Sequence, residues 1–390
     1  MRLFKKIQCL AFVIGFATCS EAQQQSIMVG AEQTSTYLPL IEGKRVAIVT
    51  NHSALVNNVH LVDTLMTLGV DIVKVMAPEH GFRGDRSDGA EITDSRDTKT
   101  NLPVVSIYGK TKKPTPAMLS DVDVVLFDIQ DVGVRFFTFI STMHYVMEAC
   151  AENNKPIIVL DRPNPNGMYV DGPVLDSAYR SFVGMHRIPL VHGLTVGELA
   201  EMINGEGWLK GGVQCDLTVI SVKNYDHSTT YDLPVKPSPN LPNDLAVRLY
   251  PSLALFEGTV ISIGRGTYEP FLQFGHPSMK DIFAHSFTPR SIPGMSKYPP
   301  LEGVTCYGQS FKNADFEPGF TLEYLLGVYE KFEDRQNFFK PYFHKLTGQS
   351  STMEQIKAGL TEKEIRASWE KDLIAYKSLR KKYLLYDDFE

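Results

Sequence analysis

The chain has 390 residues, 43% of them hydrophobic, 11% aromatic and 22% charged. That excludes a disordered, collagen-like or small disulfide-scaffold protein and leaves room for two domains with cores of their own. Acidic side chains outnumber basic ones, 45 to 39, for a formal net charge of -6, so no basic excess points to a nucleic-acid partner. Lys and Arg are scattered apart from Arg380-Lys381-Lys382, which is expected to be a solvated helix end.

Met1 to about Gln25 reads as a secretory signal peptide, with residues 1–22 removed. Arg2, Lys5 and Lys6 form its positive start, Cys9 to Ala17 its apolar stretch, and Ser20-Glu21-Ala22 before Gln23 a small-x-small cleavage site. The apolar stretch is too short to span a bilayer, and no later segment is apolar for long enough. The mature chain is expected to be periplasmic or secreted, without stable membrane insertion. The alternative is a lipid anchor on Cys19, although Phe16-Ala17-Thr18 before it is a poor lipobox. Removing the leader leaves Cys150, Cys215 and Cys306. An odd number leaves at least one unpaired, and their wide spacing does not suit a zinc site, so buried free thiols are expected.

From residue 26 the pattern alternates. Arg45 to Thr50 is a short apolar run. Val59 to Leu68 has apolar residues at helical spacing, closed by Gly69. Val70–Ala77, Val104–Ile107 and Val122–Asp128 read as strands. Phe139 to Asn153 reads as a helix with Met143, Val146, Met147 and Cys150 on one face, and Pro156–Leu160 as a fifth strand. Strands apolar on both faces that alternate with helices indicate an α/β fold with a doubly wound parallel sheet, Rossmann-like in pattern. No Gly-x-Gly-x-x-Gly follows the first strand and no Gly-x-x-x-x-Gly-Lys-Ser/Thr occurs, so no nucleotide or other cofactor is expected.

The second half is less regular. Thr195 and Glu198 form a capping box that opens a helix running to about Gly207. Leu217–Val222 looks like a strand, and Leu233–Pro242 is a Pro-rich loop. Glu257-Gly258-Thr259 leads through Val260–Ile263 into the tight turn Gly264-Arg265-Gly266-Thr267. Thr321 to Leu385 is mainly helical, with aromatics at packing spacing. The expected division is a Rossmann-like catalytic domain over 26–190 and a smaller α+β C-terminal domain over 191–390 that completes a cleft.

The residues after each strand carry the chemistry. They are Asn51-His52, Pro78-Glu79-His80-Gly81-Phe82-Arg83-Gly84, Asp128-Ile129-Gln130-Asp131 through Arg135, and Asp161-Arg162-Pro163-Asn164. Ligands of open α/β sheets bind outside the carboxyl ends of the strands, so four polar strand ends together suggest an active site. Taken singly, each acid could instead be a helix cap or turn residue. Glu79, between Pro78 and His80-Gly81, is the first candidate for a general acid, with an ion pair to Arg83 or Arg86 as its structural alternative. Asp128 and Asp131 are candidates for a second carboxylate, since two carboxyls commonly flank a scissile glycosidic bond. Arg135, Arg162 and Arg265 could hold an anionic group. Asn51 and Asn164 could bond sugar hydroxyls or an amide. A metal-dependent hydrolase using Glu79, His80, Asp128 and His192 is an alternative, though no His-Glu-x-x-His spacing supports it. No Gly-x-Ser-x-Gly elbow occurs.

Val49-Thr50-Asn51, Ala77 through Gly84, Phe127 through Arg135, Leu160 through Pro165, and Glu257-Gly258-Thr259 with Gly264 through Thr267 together resemble the exo-β-N-acetylmuramidase family (NamZ or YbbC-type). The resemblance covers nearly the whole chain past the leader. It implies a glycosidase that releases N-acetylmuramic acid from the non-reducing end of peptidoglycan fragments, built as a Rossmann-like domain with a smaller C-terminal one. It places the family's catalytic glutamate on Glu79. Beside it, Asn51, His80, Arg83, Gln130, Arg135, Arg162, Asn164 and Arg265 are the candidate substrate-binding residues, an arginine being available for the lactyl carboxylate of muramic acid; a non-catalytic cell-wall binding protein is the alternative. The substrate's 2-acetamido group could act as the nucleophile. One segment, Gly275-His276-Pro277-Ser278, departs from the family pattern on the aglycone side.

Overall fold

The structure, a computed structural model, describes residues 26–84, 94–315 and 318–390. The leader, Cys19 and Arg86 lie outside the described residues. The elements before the sheet's midpoint are α1 (Thr34–Ile41), β1 (Val46–Thr50), β2 (Leu55–Val56), β3 (Val59–His60), α2 (Leu61–Thr67), β4 (Ile72–Ala77), β5 (Ser95–Arg96), β6 (Pro103–Ser106) and α3 (Pro116–Leu119). Then come β7 (Val124–Asp128), α4 (Phe139–Glu152), β8 (Ile157–Leu160), α5 (Val196–Gly205), β9 (Leu217–Ile220) and α6 (Asp244–Leu253). The last part holds β10 (Gln273–His276), β11 (His285–Phe287), β12 (Cys306–Ser310), α7 (Glu323–Lys331), α8 (Phe343–Thr347), α9 (Ser351–Lys357) and α10 (Glu362–Arg380).

Seven strands form the main sheet in the order β5-β6-β4-β1-β7-β8-β9, parallel except for β5. Alternation along each strand sends successive side chains to opposite faces. Val46 and Ile48 of β1, Val75 and Ala77 of β4, and Val124 and Leu126 of β7 pack on one face with Tyr37, Ile41, Leu61 and Leu65 from α1 and α2. Ala47 and Val49, Met76, and Val125 and Phe127 pack on the other face with α4, α5 and the C-terminal elements. The helix face expected at Met143, Val146, Met147 and Cys150 is in this second layer. β10, β12 and β11 form a separate antiparallel sheet, and α7 to α10 follow it. The α/β class with a smaller α+β part therefore stands.

Three expectations change. The helix placed over 59–68 begins two residues later, because Val59 and His60 pair with β2 and His60 Nδ1 accepts the Val62 N–H as the cap. The boundary at 190 falls short of the sheet's end. β9 hydrogen-bonds β8 from Leu217 to Ile220, and a lone short apolar run does not reveal which sheet it joins. Arg380 is not solvated. It is fully buried, donates from Nε and Nη2 to Gly193 O at 2.9 and 2.7 Å, and pairs with Asp388 at 2.8 Å.

The end of the chain returns to the main sheet. Tyr386 OH donates to Asp161 Oδ2 at 2.5 Å and accepts the Val222 N–H at 2.8 Å, while the Leu385 N–H donates to Glu198 at 2.9 Å. The three cysteines are buried free thiols, and burial pushes Cys215 and Cys306 up to about 11. Among the described residues no helix is long and apolar enough to cross a membrane.

Candidate active site

The turn after β4 presents the central carboxylate. The Gly81 N–H donates to Pro78 O at 3.1 Å, closing a four-residue turn around Glu79 and His80. His80 has φ 68° and Gly81 φ 77°. A left-handed conformation is costly for a residue with a Cβ, on the order of 1–3 kcal/mol, and such strain collects at functional sites. Buried His80 is held there by contact between its Nε2 and Ser238 Oγ at 3.2 Å. The turn leaves Glu79 half-buried. Its Oε1 accepts from Tyr108 OH at 2.6 Å and its Oε2 from Thr138 Oγ1 at 3.3 Å. Thr138 is the residue that opens α4.

Glu79 opens onto a pocket of about 400 Å³, a size suited to a small-molecule ligand. Strand-end loops after β4, β6 and β7 form one wall, with Glu79, His80, Tyr108, Lys112 and the Phe136–Phe139 run. Phe182, Ser238, Tyr250, Glu257, Arg265 and Tyr342 close the rest. Arg265 Nε donates to Glu257 Oε1 at 2.7 Å, and its guanidinium carbon lies 5.2 Å from the centre of the Phe271 ring. Acid, cation and aromatic surface therefore share one cleft.

Of the sequence candidates, Glu79, His80 and Arg265 line this pocket and the others do not. Asp128 is fully buried, its oxygens taken by Arg162 Nε at 2.5 Å and Nη2 at 2.8 Å, while Arg162 also donates to Leu55 O at 3.1 Å. Asp131 accepts the Gly133 N–H at 2.7 Å and sits 3.7 Å from His192 Nε2. Asn51 Oδ1 accepts from the Ser53 N–H and hydroxyl at 2.9 and 2.6 Å. Gln130 Nε2 donates to Asp131 O and Pro163 O, both at 2.8 Å. Asn164 donates to Leu194 O and accepts the Asn166 N–H, both at 2.8 Å. Arg135, fully buried, donates to Pro173 O, Ile188 O and Leu346 O at 2.7, 2.8 and 2.9 Å, and desolvation pulls it down to about 9. These side chains form a polar layer inside the protein. Polar groups removed from water must find internal partners, and each of these side chains finds at least one at the strand ends, although Asn51 Nδ2, Gln130 Oε1, Asp131 Oδ1 and Arg135 Nε are buried without one. Asp161 belongs there too: burial pushes it up to about 6, and it anchors the start of α5 through Thr195 Oγ1 at 2.7 Å and the Gly197 N–H at 2.8 Å.

Arg83 is likewise structural. It donates to Asp97 at 2.8 and 3.1 Å and to Asp63 at 3.4 Å, so it is not the ion-pair partner weighed for Glu79. The Arg83 hydrogen bonds hold the Asp97 carboxyl down at about 2. A carboxyl depressed on folding stabilises the fold above its unfolded value, near 3.9, and loses that contribution as pH falls through the folded one. Melting temperature should therefore drop steeply between about pH 4 and pH 2 in the wild type. Asp97→Asn should flatten that slope, and an unchanged slope would exclude this pair as its source.

The four residues of a metal-centred alternative are not assembled, since Asp128 is in its ion pair and His192 lies beside Asp131. Among the described residues no three His, Cys, Asp or Glu side chains are grouped to hold a metal ion. Sequence reasoning missed Tyr108, Thr138 and the pocket role of Glu257. Tyr108 lies just beyond a strand, where the strand-end rule would have found it. Ser238, Tyr250 and Tyr342 arrive from distant segments, and no local spacing marks them.

Two family models match the chain. The N-terminal part of exo-β-N-acetylmuramidase NamZ matches residues 46–245 and its C-terminal part residues 248–386. The peptidoglycan β-N-acetylmuramidase NamZ of Bacillus subtilis (strain 168) is 40% identical over 378 residues, covering 90% of this chain and 89% of that protein. A crystal structure of a DUF1343 family protein from Bacteroides fragilis superposes with a TM-score of 0.87 at 46% identity, covering 93% of this chain and all of the other. A second such protein from the same organism gives 0.79 at 32% identity, covering 93% of this chain and 99% of its own. Both family models and a relative aligned over nine-tenths of the length lead to one assignment: the chain belongs to the exo-β-N-acetylmuramidase NamZ family.

Proposed function

We propose that the protein is an exo-acting β-N-acetylmuramidase that cleaves the glycosidic bond of a non-reducing terminal N-acetylmuramic acid in peptidoglycan fragments, with Glu79 as general acid. One observation carries the assignment of the acid. A half-buried carboxylate on a strained turn, held from both oxygens by Tyr108 and Thr138, faces a cleft of about 400 Å³. Fixing a carboxyl in this way meets the geometric need of general acid catalysis, which is a proton delivered along one direction to the leaving oxygen. Glu257, the other acid in the pocket, is engaged by Arg265. The substrate's 2-acetamido group then supplies the nucleophile, as in substrate-assisted glycosidases. Phe136, Phe137 and Tyr250 give apolar surface for the sugar.

Arg265 takes the lactyl carboxylate that distinguishes muramic acid from glucosamine, and Glu257 aims it. Arg265→Ala should lower kcat/KM on a β-N-acetylmuraminide by about 10- to 100-fold and leave any slow cleavage of the matching β-N-acetylglucosaminide within about twofold. Equal losses on the two would remove Arg265 from carboxylate recognition. The activity itself is tested by incubating the purified protein with a muramic-acid-terminated disaccharide and measuring released sugar. Turnover sets the protein apart from a non-catalytic cell-wall binder. The location that fits is outside the cytoplasm. It rests on the signal-like Met1–Gln25 segment, and N-terminal sequencing of the exported protein should begin near Gln23.

A further inference from the structure

A second groove adjoins the pocket. Phe182 lines both, as the wall they share. Lys112, from the first pocket, lies 4.4 Å above the Phe182 ring, and Tyr145, from the second, stands parallel to it within 10° at 6.2 Å. The second groove, about 380 Å³, runs past Arg180 and Lys210 to Trp208 and joins a third hollow through those residues and Met185. Arg180 is exposed, its Nε braced on Met185 O at 2.7 Å, and Lys210 is exposed. The acid of this groove, Glu148, is tied up by hydrogen bonds, with Lys113 shared between it and Glu152. It accepts from Lys113 and from the Lys210 N–H at 2.7 and 2.8 Å. His144 and His186 lie beneath, hydrogen-bonded to each other at 3.1 Å, and burial keeps His144 near 4 and so uncharged at neutral pH. The accessible groups are thus aromatic faces and two cations. Aromatic faces suit pyranose rings, and the cations suit carboxylates.

Resting on the muramidase assignment, we infer that this groove holds the part of the substrate beyond the scissile bond: an amino-sugar chain whose carboxylates are taken by Arg180 and Lys210. The carboxylates have two sources, the lactyl group of the next muramoyl unit and the peptide stem. The test compares wild type with Arg180→Ala/Lys210→Ala, two exposed positions outside the catalytic pocket, on three probes. These are 4-nitrophenyl β-N-acetylmuraminide, a peptide-free tetrasaccharide with muramic acid at its non-reducing end, and the same glycan with a peptide stem on its internal muramoyl unit alone, so that the terminal lactyl group stays free.

The double variant should keep the nitrophenyl glycoside within about twofold and lose about tenfold in kcat/KM on at least one of the longer probes. Loss on the peptide-free probe alone assigns the lactyl carboxylate, which a stem holds as an amide; loss on the stem-bearing probe alone assigns the peptide's own carboxylates, and loss on both assigns either carboxylate in turn. Unchanged kinetics on both would overturn the inference, as would an equal loss on all three. A wild type that cleaves none of the probes would instead defeat the muramidase assignment, on which the groove's role depends.

Discussion

Glu79→Gln should lower kcat on a muramic-acid disaccharide by about 10²- to 10⁴-fold while KM stays within a few-fold, because the amide fills the same space but cannot donate the catalytic proton. Tyr108 OH can still donate to the amide oxygen, and Thr138 Oγ1 can turn to accept from the amide NH2, so the melting temperature should hold. The loss should depend on the leaving group. A sugar hydroxyl needs the proton, whereas 4-nitrophenolate leaves readily without it, so the deficit should shrink on the nitrophenyl glycoside. A deficit of equal size on both would mean that Glu79 positions substrate instead of protonating it. Near-wild-type release from the disaccharide would remove it from the mechanism.

Asp128→Ala should damage the fold more than the chemistry. Asp128 and Arg162 are buried, 0% and 2% exposed, and joined by two hydrogen bonds. Removing the carboxylate strands a guanidinium away from water, a change expected to destabilise by about 3–5 kcal/mol. Urea denaturation should register that loss. Asp128→Leu/Arg162→Met should recover much of it, since replacing a buried pair with packed apolar side chains is often neutral or better. If Asp128→Ala instead folds with wild-type stability and fails to turn over substrate, Asp128 belongs to the reaction after all.

Those two acids show how far the sequence could be read. β1, β4, β7 and β8 were visible because a strand covered on both faces must be apolar throughout. The capping box at Thr195 was visible because its partners lie three residues apart. The rim of the sheet was identifiable as polar, but polarity alone does not separate a residue facing substrate from one facing a neighbour. Glu79 and Asp128 both follow strands. One sits on a turn with a left-handed His80, the other opposite a guanidinium 34 residues away. Arg135 looked like an anion clamp until three carbonyls from segments up to 211 residues distant claimed it. Long-range partners carry no local signal, which also explains why Tyr250 and Tyr342 went unseen and why β9 could not be assigned to a sheet.

The segment at Leu385 and Tyr386 ties the helical tail to the central sheet. Asp161, at the end of β8, gets one of its hydrogen-bond donors from Tyr386, and Glu198 on α5 gets one from Leu385. A protease cut that released this segment would leave two buried acids each short of a donor. Damage far along the sequence would therefore be felt as loosening at the sheet's rim.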